Sequence, residues 1–335
     1  MADGTPLTNI WAAILAFAVF MYVVMDGFDL GIGILFPIFG VGRERDTAMN
    51  SIAPVWDGNE TWLVLGGGGL LAAFPLAYSL IMSALYAPLI AMLLALVFRG
   101  VAFEFRWRDA SHRRVWDFAF TSGSLLAAFT QGIMLGALLQ GIHVAGRAYA
   151  GGWWDWLTPF SLLTGASVVA GYSLLGACWL NWKTEGETQQ QARRLMRICA
   201  PLTLLAIVAV SAASPFLGSE YFARWFLMPR VLFTAQVPLA ITILTWLFAR
   251  SLRRNHELAP FVITLAVFAL SFVGLGISMY PYLIPNSVTL QMAAAPASSQ
   301  VFMLAGAGVL VPLILAYTAW SYRVFRGKVA HEGYH

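Results

Sequence analysis

Five carboxylates sit where an apolar sequence has little ordinary use for them. Asp26 and Asp29 interrupt a long hydrophobic run in MDGFDLG (25–31), three residues apart and therefore on one face of a helix. Asp57 and Glu60 follow in WDGNETW (56–62), at the start of a second apolar run, and Glu104 closes a third in FRGVAFEFR (98–106). An ionisable side chain in the middle of a membrane helix costs about 2.5 to 3.5 kcal/mol on the insertion scale, so each is expected to face the protein interior, paired or hydrated. At about 1.5 Å per residue, Asp26 lies about 24 Å along its helix from Ile10, in the half where the other four are also expected. Carboxylates gathered in this way can pass protons along a hydrated chain. They can equally be structural, with Arg99, Arg106 and Arg108 neutralising Asp26, Asp29 and Glu104 while Asp57 caps the second helix. The two roles can coexist, some members capping while others relay.

The remaining chemistry-bearing residues narrow the reaction classes. The five histidines are expected in loops, at a helix end or on the tail (His112, His256, His143, His331, His335), so no mid-membrane imidazole is offered to a haem iron, and no metal site is expected in this chain. Cys178 and Cys199 fall in apolar runs and read as buried thiols. Gly66, Gly67, Gly68 and Gly69 form an unbroken run that favours close helix packing or leaves a groove for an isoprenoid tail. Gln131, Gln140 and Gln236 suit interhelical hydrogen bonds better than a quinone carbonyl. No phosphate-binding loop, nucleophile–base pair or zinc spacing is present.

The elements that must hold these residues follow from composition. The chain has 335 residues, 59% hydrophobic and only 11% charged, with a mean hydropathy of +0.73. Soluble domains carry about 25% charged residues, so this chain lacks a water-exposed coat. Fibrous, disordered, disulfide-stapled and nucleic-acid-binding classes are excluded. Runs without strand-like alternation point to a polytopic all-α membrane protein, a single integral domain over 1–335. Nine spans are expected, at 10–39, 60–77, 79–103, 118–142, 160–182, 198–217, 228–248, 259–280 and 301–322. The second and third are separated only by a tight turn at Pro75. The first has no Lys or Arg before it and is expected to remain uncleaved. With the N-terminus outside, 17 of the 20 basic residues fall on the inner side, which supports nine helices with the C-terminus in the cytoplasm.

The chain resembles subunit II of cytochrome bd-type terminal quinol oxidases. The resemblance is carried by DGFDLG (26–31), SIAPVWDGNE (51–60) and FRGVAFEFR (98–106), and extends through GIHVAGR (141–147), DWLTP (155–159) and KTEGE (183–187). The cyanide-insensitive branch shares these motifs. The resemblance implies two four-helix bundles, helices one to four over 10–142 and five to eight over 160–280, with a peripheral ninth at 301–322. It implies a heterodimer with a subunit I that carries the haems, b and d or b alone. It also leaves room for a small single-helix accessory subunit, a bound structural quinone and lipid. Such a complex lies in the bacterial cytoplasmic (inner) membrane, oxidises quinol and reduces oxygen to water with protons taken from the cytoplasm, separating charge without pumping. In that frame Asp57 and Glu104 lead the proton path and Asp26, Asp29 and Glu60 follow. Arg99 and Arg108 give electrostatic support, because an Arg does not release its proton. Two other readings stand beside it: an ion-coupled secondary transporter, for which acids near a glycine-broken helix are also a signature, and an assembly partner with no proton role.

Overall fold

A computed structural model describes residues 6–329; His331 and His335 lie outside the described residues. Helix α1 (Pro6–Leu35) is the longest. A 3-10 turn at Phe36–Ile38 and Gly42, whose φ of 97° an L-side chain rarely adopts, turn the chain into the short polar helix α2 (Arg43–Asn50). Helix α3 (Trp56–Ala73) then runs back antiparallel to α1, since Asn59 touches Asp29 while the Cβ position of Gly69 meets Leu15.

Pro75 stops α3, but the structure corrects the tight turn expected there. Phe74 serves as a joint, with Pro75 occupying the first position of a separate helix α4 (Pro75–Ala84), where a missing N–H is harmless. At about 1.5 Å per residue α4 is too short to cross a membrane. The expected spans 60–77 and 79–103 are therefore corrected to α3 and α5 (Tyr86–Arg108), with α4 between them.

Helix α6 (Arg113–Gln140) ends at Gly141, and α7 (Pro159–Lys183) starts on a reciprocal capping box between Thr158 and Ser161. Helices α8 (Gly186–Ala213), α9 (Ser219–Phe226), α10 (Val231–Thr234), α11 (Gln236–Arg253), α12 (Ala259–Met279), α13 (Leu290–Ala293) and α14 (Ala297–Val324) complete the chain. Two small hairpins, β1 (Val144–Ala145) with β2 (Ala148–Tyr149) and β3 (Tyr282–Ile284) with β4 (Val288–Thr289), lie at the end of the bundle where α4 packs. Among the described residues, eight helices are long and apolar enough to span a membrane. Helix α3 falls short of that measure because of its polar first turns, Trp56 to Thr61, yet it follows α1 for about 15 Å, from Asn59 to Gly69.

Helix α1 packs on α3, α6 and α7, α5 on α6, and α7 on α8 and α12, while α11 pairs with α12. In lipid the apolar effect does not drive helices together, so close packing of small residues and interhelical hydrogen bonds must. A Cβ on Gly31 would lie 1.8 Å from the carbonyl oxygen of Tyr172, and one on Gly176 2.6 Å from Gly31 and Ile32 backbone. Backbone thus meets backbone where α1 crosses α7. Gly132 and Gly136 do the same for α6 against Thr164 and Ser161. No residue of the most apolar stretch of α14 is fully buried; Leu304, Ile314 and Leu315 rest partly against the core, and the helix is pinned near its two ends. Trp11 Nε1 donates to the Gln300 carbonyl (3.1 Å), and Tyr322 Oη donates to Asn59 Oδ1 (3.0 Å). Cys178 and Cys199 are free and buried.

Candidate functional site: a buried acid cluster

The helix crossings place three carboxylates around one guanidinium. Arg99 of α5, 2% exposed, donates through Nη1 to Asp26 Oδ1 (2.6 Å) and through Nη2 to Glu60 Oε1 (2.9 Å). Asp29, one turn along α1, accepts from Asn59 Nδ2 at 2.7 Å, and the same amide reaches the Met25 carbonyl at 3.3 Å. Asp26 Oδ2 and Asp29 Oδ1 are buried with no protein partner. Asp26, Asp29 and Arg99 are fully enclosed, while the Glu60 side chain keeps 28% exposure and so forms the opening of the cluster.

Two sets of hydrogen-bonded side chains flank it. Tyr22 lies one turn before Asp26 on α1; its hydroxyl accepts from Gln131 Nε2 (2.7 Å), and Gln131 Oε1 accepts from Tyr172 (2.8 Å). On the other side Asn59 accepts from Tyr322. These partners were not legible as a set. Tyr22, Tyr172 and Tyr322 read as packing aromatics, and only the position of Gln131 inside an apolar run signalled an interhelical bond. Gln140 also bonds between helices, to Thr158 Oγ1 (2.7 Å), whereas Gln236 bonds within its own helix to the Leu232 carbonyl.

The cluster is smaller than five. Asp57 and Glu104 remain on the surface of the chain, Asp57 exposed and Glu104 57% exposed, with only a 3.9 Å contact from Glu104 to Arg108. Asp57 does not cap α3, whose N-cap is Val55 with no side-chain bond. Nor does Arg106 neutralise the first helix. It binds Asp117 (2.5 Å) and Asp46 (2.8 Å), and Arg45 binds the other oxygen of Asp117 (2.7 Å). This second network ties α2, α5 and α6 together at the end of the bundle rich in Arg and Lys, hereafter the basic end. Its one sequence signal is an acid, Asp117, just inside an apolar run behind Arg113 and Arg114. Asp117→Asn should lower the thermal stability of the purified protein by about 2 kcal/mol, since it weakens charged hydrogen bonds to two arginines. An unchanged melting curve would show that Asp46 alone holds Arg106.

The glycine run divides by direction. Added Cβ atoms on Gly66 and Gly69 meet Val19 and Leu15 of α1, while those on Gly67 and Gly68 meet nothing within 4 Å. Half the run is packing and half is an open strip. For haem, the described histidines do not fit: His112 pairs with Asp109 (2.8 Å) on the surface, His143 is 82% exposed and His256 lies in an exposed turn. Among the described residues no group of three or more His, Cys, Asp or Glu could hold a metal ion.

Comparison with known proteins identifies the family. The family model described as cytochrome bd terminal oxidase subunit II matches residues 7–325. The chain belongs to that family. Cytochrome bd-I ubiquinol oxidase subunit 2 of Escherichia coli (strain K12) is 30% identical, over 99% of this chain and 97% of that protein. Cytochrome bd ubiquinol oxidase subunit 2 of Bacillus subtilis (strain 168) is 31% identical, over 97% and 98%. A chain of the bd oxidase structure from Geobacillus thermodenitrificans shares the fold, with a TM-score of 0.79 at 20% identity, covering 96% of this chain and 99% of that one. A subunit II of this family is a multi-pass membrane protein of a respiratory oxidase. Among the described residues no buried histidine is offered to a haem, so no step through haem is assigned to them.

Proposed function

We propose that this chain is the haem-free subunit of a bd-type quinol:oxygen oxidoreductase, and that its buried acid cluster forms part of the path bringing protons from the cytoplasm to the oxygen-reducing site in the partner subunit. The observation that carries the reading is the imbalance at Arg99: three carboxylates surround one guanidinium, with two carboxylate oxygens unpartnered. An enclosed site with more acid than base is able to take up a proton, because an uncompensated buried charge is expensive. Arg99 keeps its own proton and fixes Asp26 and Glu60 on either side. Glu60, the most exposed member of the cluster, is the entry: it receives a proton from the surface and passes it inward toward Asp26. Asp57, one turn before Glu60 on α3, and Glu104, with Arg108 beside it, stay on the exposed surface of the chain and would serve as collecting groups outside the cluster.

In this reading the basic end faces the cytoplasm, with the N-terminus outside, as the collected arginines and lysines favour. A quinol is the reductant of the complex, in keeping with the names of the two relatives. The open strip at Gly67 and Gly68 suits a quinone tail or lipid chain. Family membership favours the oxidase subunit over an ion-coupled transporter. Glu60→Gln in the assembled oxidase should slow oxygen consumption and proton uptake together by about a hundredfold, the lower end of the roughly 10²–10⁴-fold contribution of one positioned proton-transfer group. Normal turnover in a correctly assembled Glu60→Gln complex would take Glu60 out of the path; Asp57→Asn tests the surface acid in the same assay.

A further inference from the structure

At the basic end, beside the cluster, the last described residues form a strap. Lys183, at the end of α7 and 6% exposed, donates through Nζ to the carbonyls of Phe325 (2.7 Å) and Gly327 (3.2 Å). Val329 N donates back to the Lys183 carbonyl (2.9 Å), and Lys328 reaches the Thr184 carbonyl (3.1 Å) and Glu257 (2.8 Å). Glu257 lies outside the spans, and the hydrogen bond from Lys328, then that from Gln189, holds its carboxyl below the usual range. The strap is thus fixed at four points.

It forms one wall of a cavity of about 310 Å³ whose other walls include Asn50, Ser51, Trp179, Lys183 and Tyr322. Two polar atoms of these lining residues are buried without a protein partner, Asn50 Oδ1 and Trp179 Nε1, although Trp179 is only 1% exposed. A space of this size takes about ten water molecules at about 30 Å³ each. The inner wall is Tyr322, which donates to Asn59 Oδ1, and the Asn59 amide in turn holds Asp29 Oδ2. One tyrosine and one amide therefore separate the cavity from a carboxylate whose second oxygen, Oδ1, has no partner.

We propose that the cavity beneath the C-terminal strap is a hydrated vestibule from which protons reach Asp29, with Tyr322 as the positioning residue that separates vestibule water from the cluster. This rests on the proton role of the cluster proposed above and adds a second intake, distinct from the Glu60 entry. The step is a proton transfer only. An excess proton on vestibule water passes to Asp29 Oδ1 when Tyr322 swings from Asn59, leaving a neutral carboxylic acid and neutral water, and the proton is replaced from solvent at the basic end. Asn59 is not a carrier, because an amide does not readily exchange its protons through its own bonds; it fixes Oδ2 and leaves Oδ1 as the receiving atom.

Hydroxyl-radical labelling of the intact wild-type oxidase in ¹⁸O-water tests the vestibule, since radicals formed from bound water label the side chains beside it. Trp179, 1% exposed, should label at least about fivefold faster than Trp62, which is as deeply buried but lines no part of this cavity. Labelling no faster than Trp62 overturns the vestibule. In the assembled complex, Tyr322→Phe, which removes the bond that must break for opening, should speed proton uptake by about threefold to tenfold, as expected for one lost hydrogen bond, and raise its solvent deuterium isotope effect because opening no longer limits the transfer, whereas a purely structural loss would slow uptake. Slow uptake in Asp29→Asn with a wild-type rate and isotope effect in Tyr322→Phe overturns this route while the cluster keeps its role. Unchanged uptake in both Asp29→Asn and Glu60→Gln overturns the proton role of the cluster and this inference with it.

Discussion

Arg99→Met is expected to prevent recovery of the assembled oxidase, or to shorten its thermal half-life severely. Arg99 is the cation bonded to both Asp26 and Glu60, and it is 2% exposed. Removing it leaves two carboxylates facing each other beside Asp29 in an enclosed site. Breaking one buried pair from one side costs about 3 to 5 kcal/mol, a large share of the margin of any folded protein. The effect should be partly reversed in the double variant Arg99→Met with Asp26→Asn, which removes the stranded charge as well as the cation. Arg99→Lys should fall between, since an ammonium is a point donor and cannot span two carboxylates as the planar fork does. Complex yield and inactivation half-life measure all three, a rate being the appropriate quantity for a membrane complex that unfolds irreversibly. Wild-type yield and half-life for Arg99→Met would mean that the acids are not held by this arginine.

Gly31→Ala is expected to be comparably damaging although it adds a single methyl group. Its Cβ would fall 1.8 Å from the Tyr172 carbonyl oxygen, and the neighbouring atoms are backbone of α7 rather than the movable end of a side chain. Helices α1 and α7 would have to separate along their crossing. Overpacking of this kind costs about 1 to 3 kcal/mol, and here the displacement also shifts the helix that carries Asp26 and Asp29. Gly176→Ala, meeting Gly31 and Ile32 backbone from the other side, should behave alike. Gly67→Ala is the control: nothing lies within 4 Å, and alanine improves helix propensity by about 1 kcal/mol. Thermal half-life of the three complexes separates the cases. Equal behaviour of Gly31→Ala and Gly67→Ala would show that the α1–α7 crossing is looser than its backbone contacts indicate.

The contrast between these glycines marks a limit of reading by residue type. Of the four consecutive glycines at 66–69, two face open space, while Gly31 and Gly176 bring backbone against backbone where α1 crosses α7. The Gly27-xxx-Gly31 spacing is a local sign of close packing, but it does not say which backbone lies opposite. The acids divide likewise. Asp26, Asp29, Asp57, Glu60 and Glu104 were all visible as anomalies in apolar surroundings. Which of them meet depended on the rotation of α3 and α5 about their axes, and that rotation turns Asn59 and Glu60 inward and leaves Asp57 and Glu104 outside. The break at Pro75 was legible for a covalent reason, the missing N–H, but its form was not, since a joint leading into α4 and a tight turn satisfy proline equally well.

The sequence by itself determined the solvent and the family. Too few charges for water, apolar runs of spanning length and basic residues collected between alternate runs are consequences of transfer free energy, which acts residue by residue and needs no knowledge of neighbours. The motifs around Asp26, Asp57 and Glu104 placed the chain among bd oxidase subunits, as the match over residues 7–325 shows. Only the tertiary structure decided that Arg99 bridges Asp26 and Glu60, that Arg106 serves Asp117 instead, and that Tyr322, nearly 300 residues after Asp29, closes the far side of the same cluster. Such contacts join residues from helices far apart in the chain. They are fixed by helix rotation and crossing, to which no local spacing corresponds.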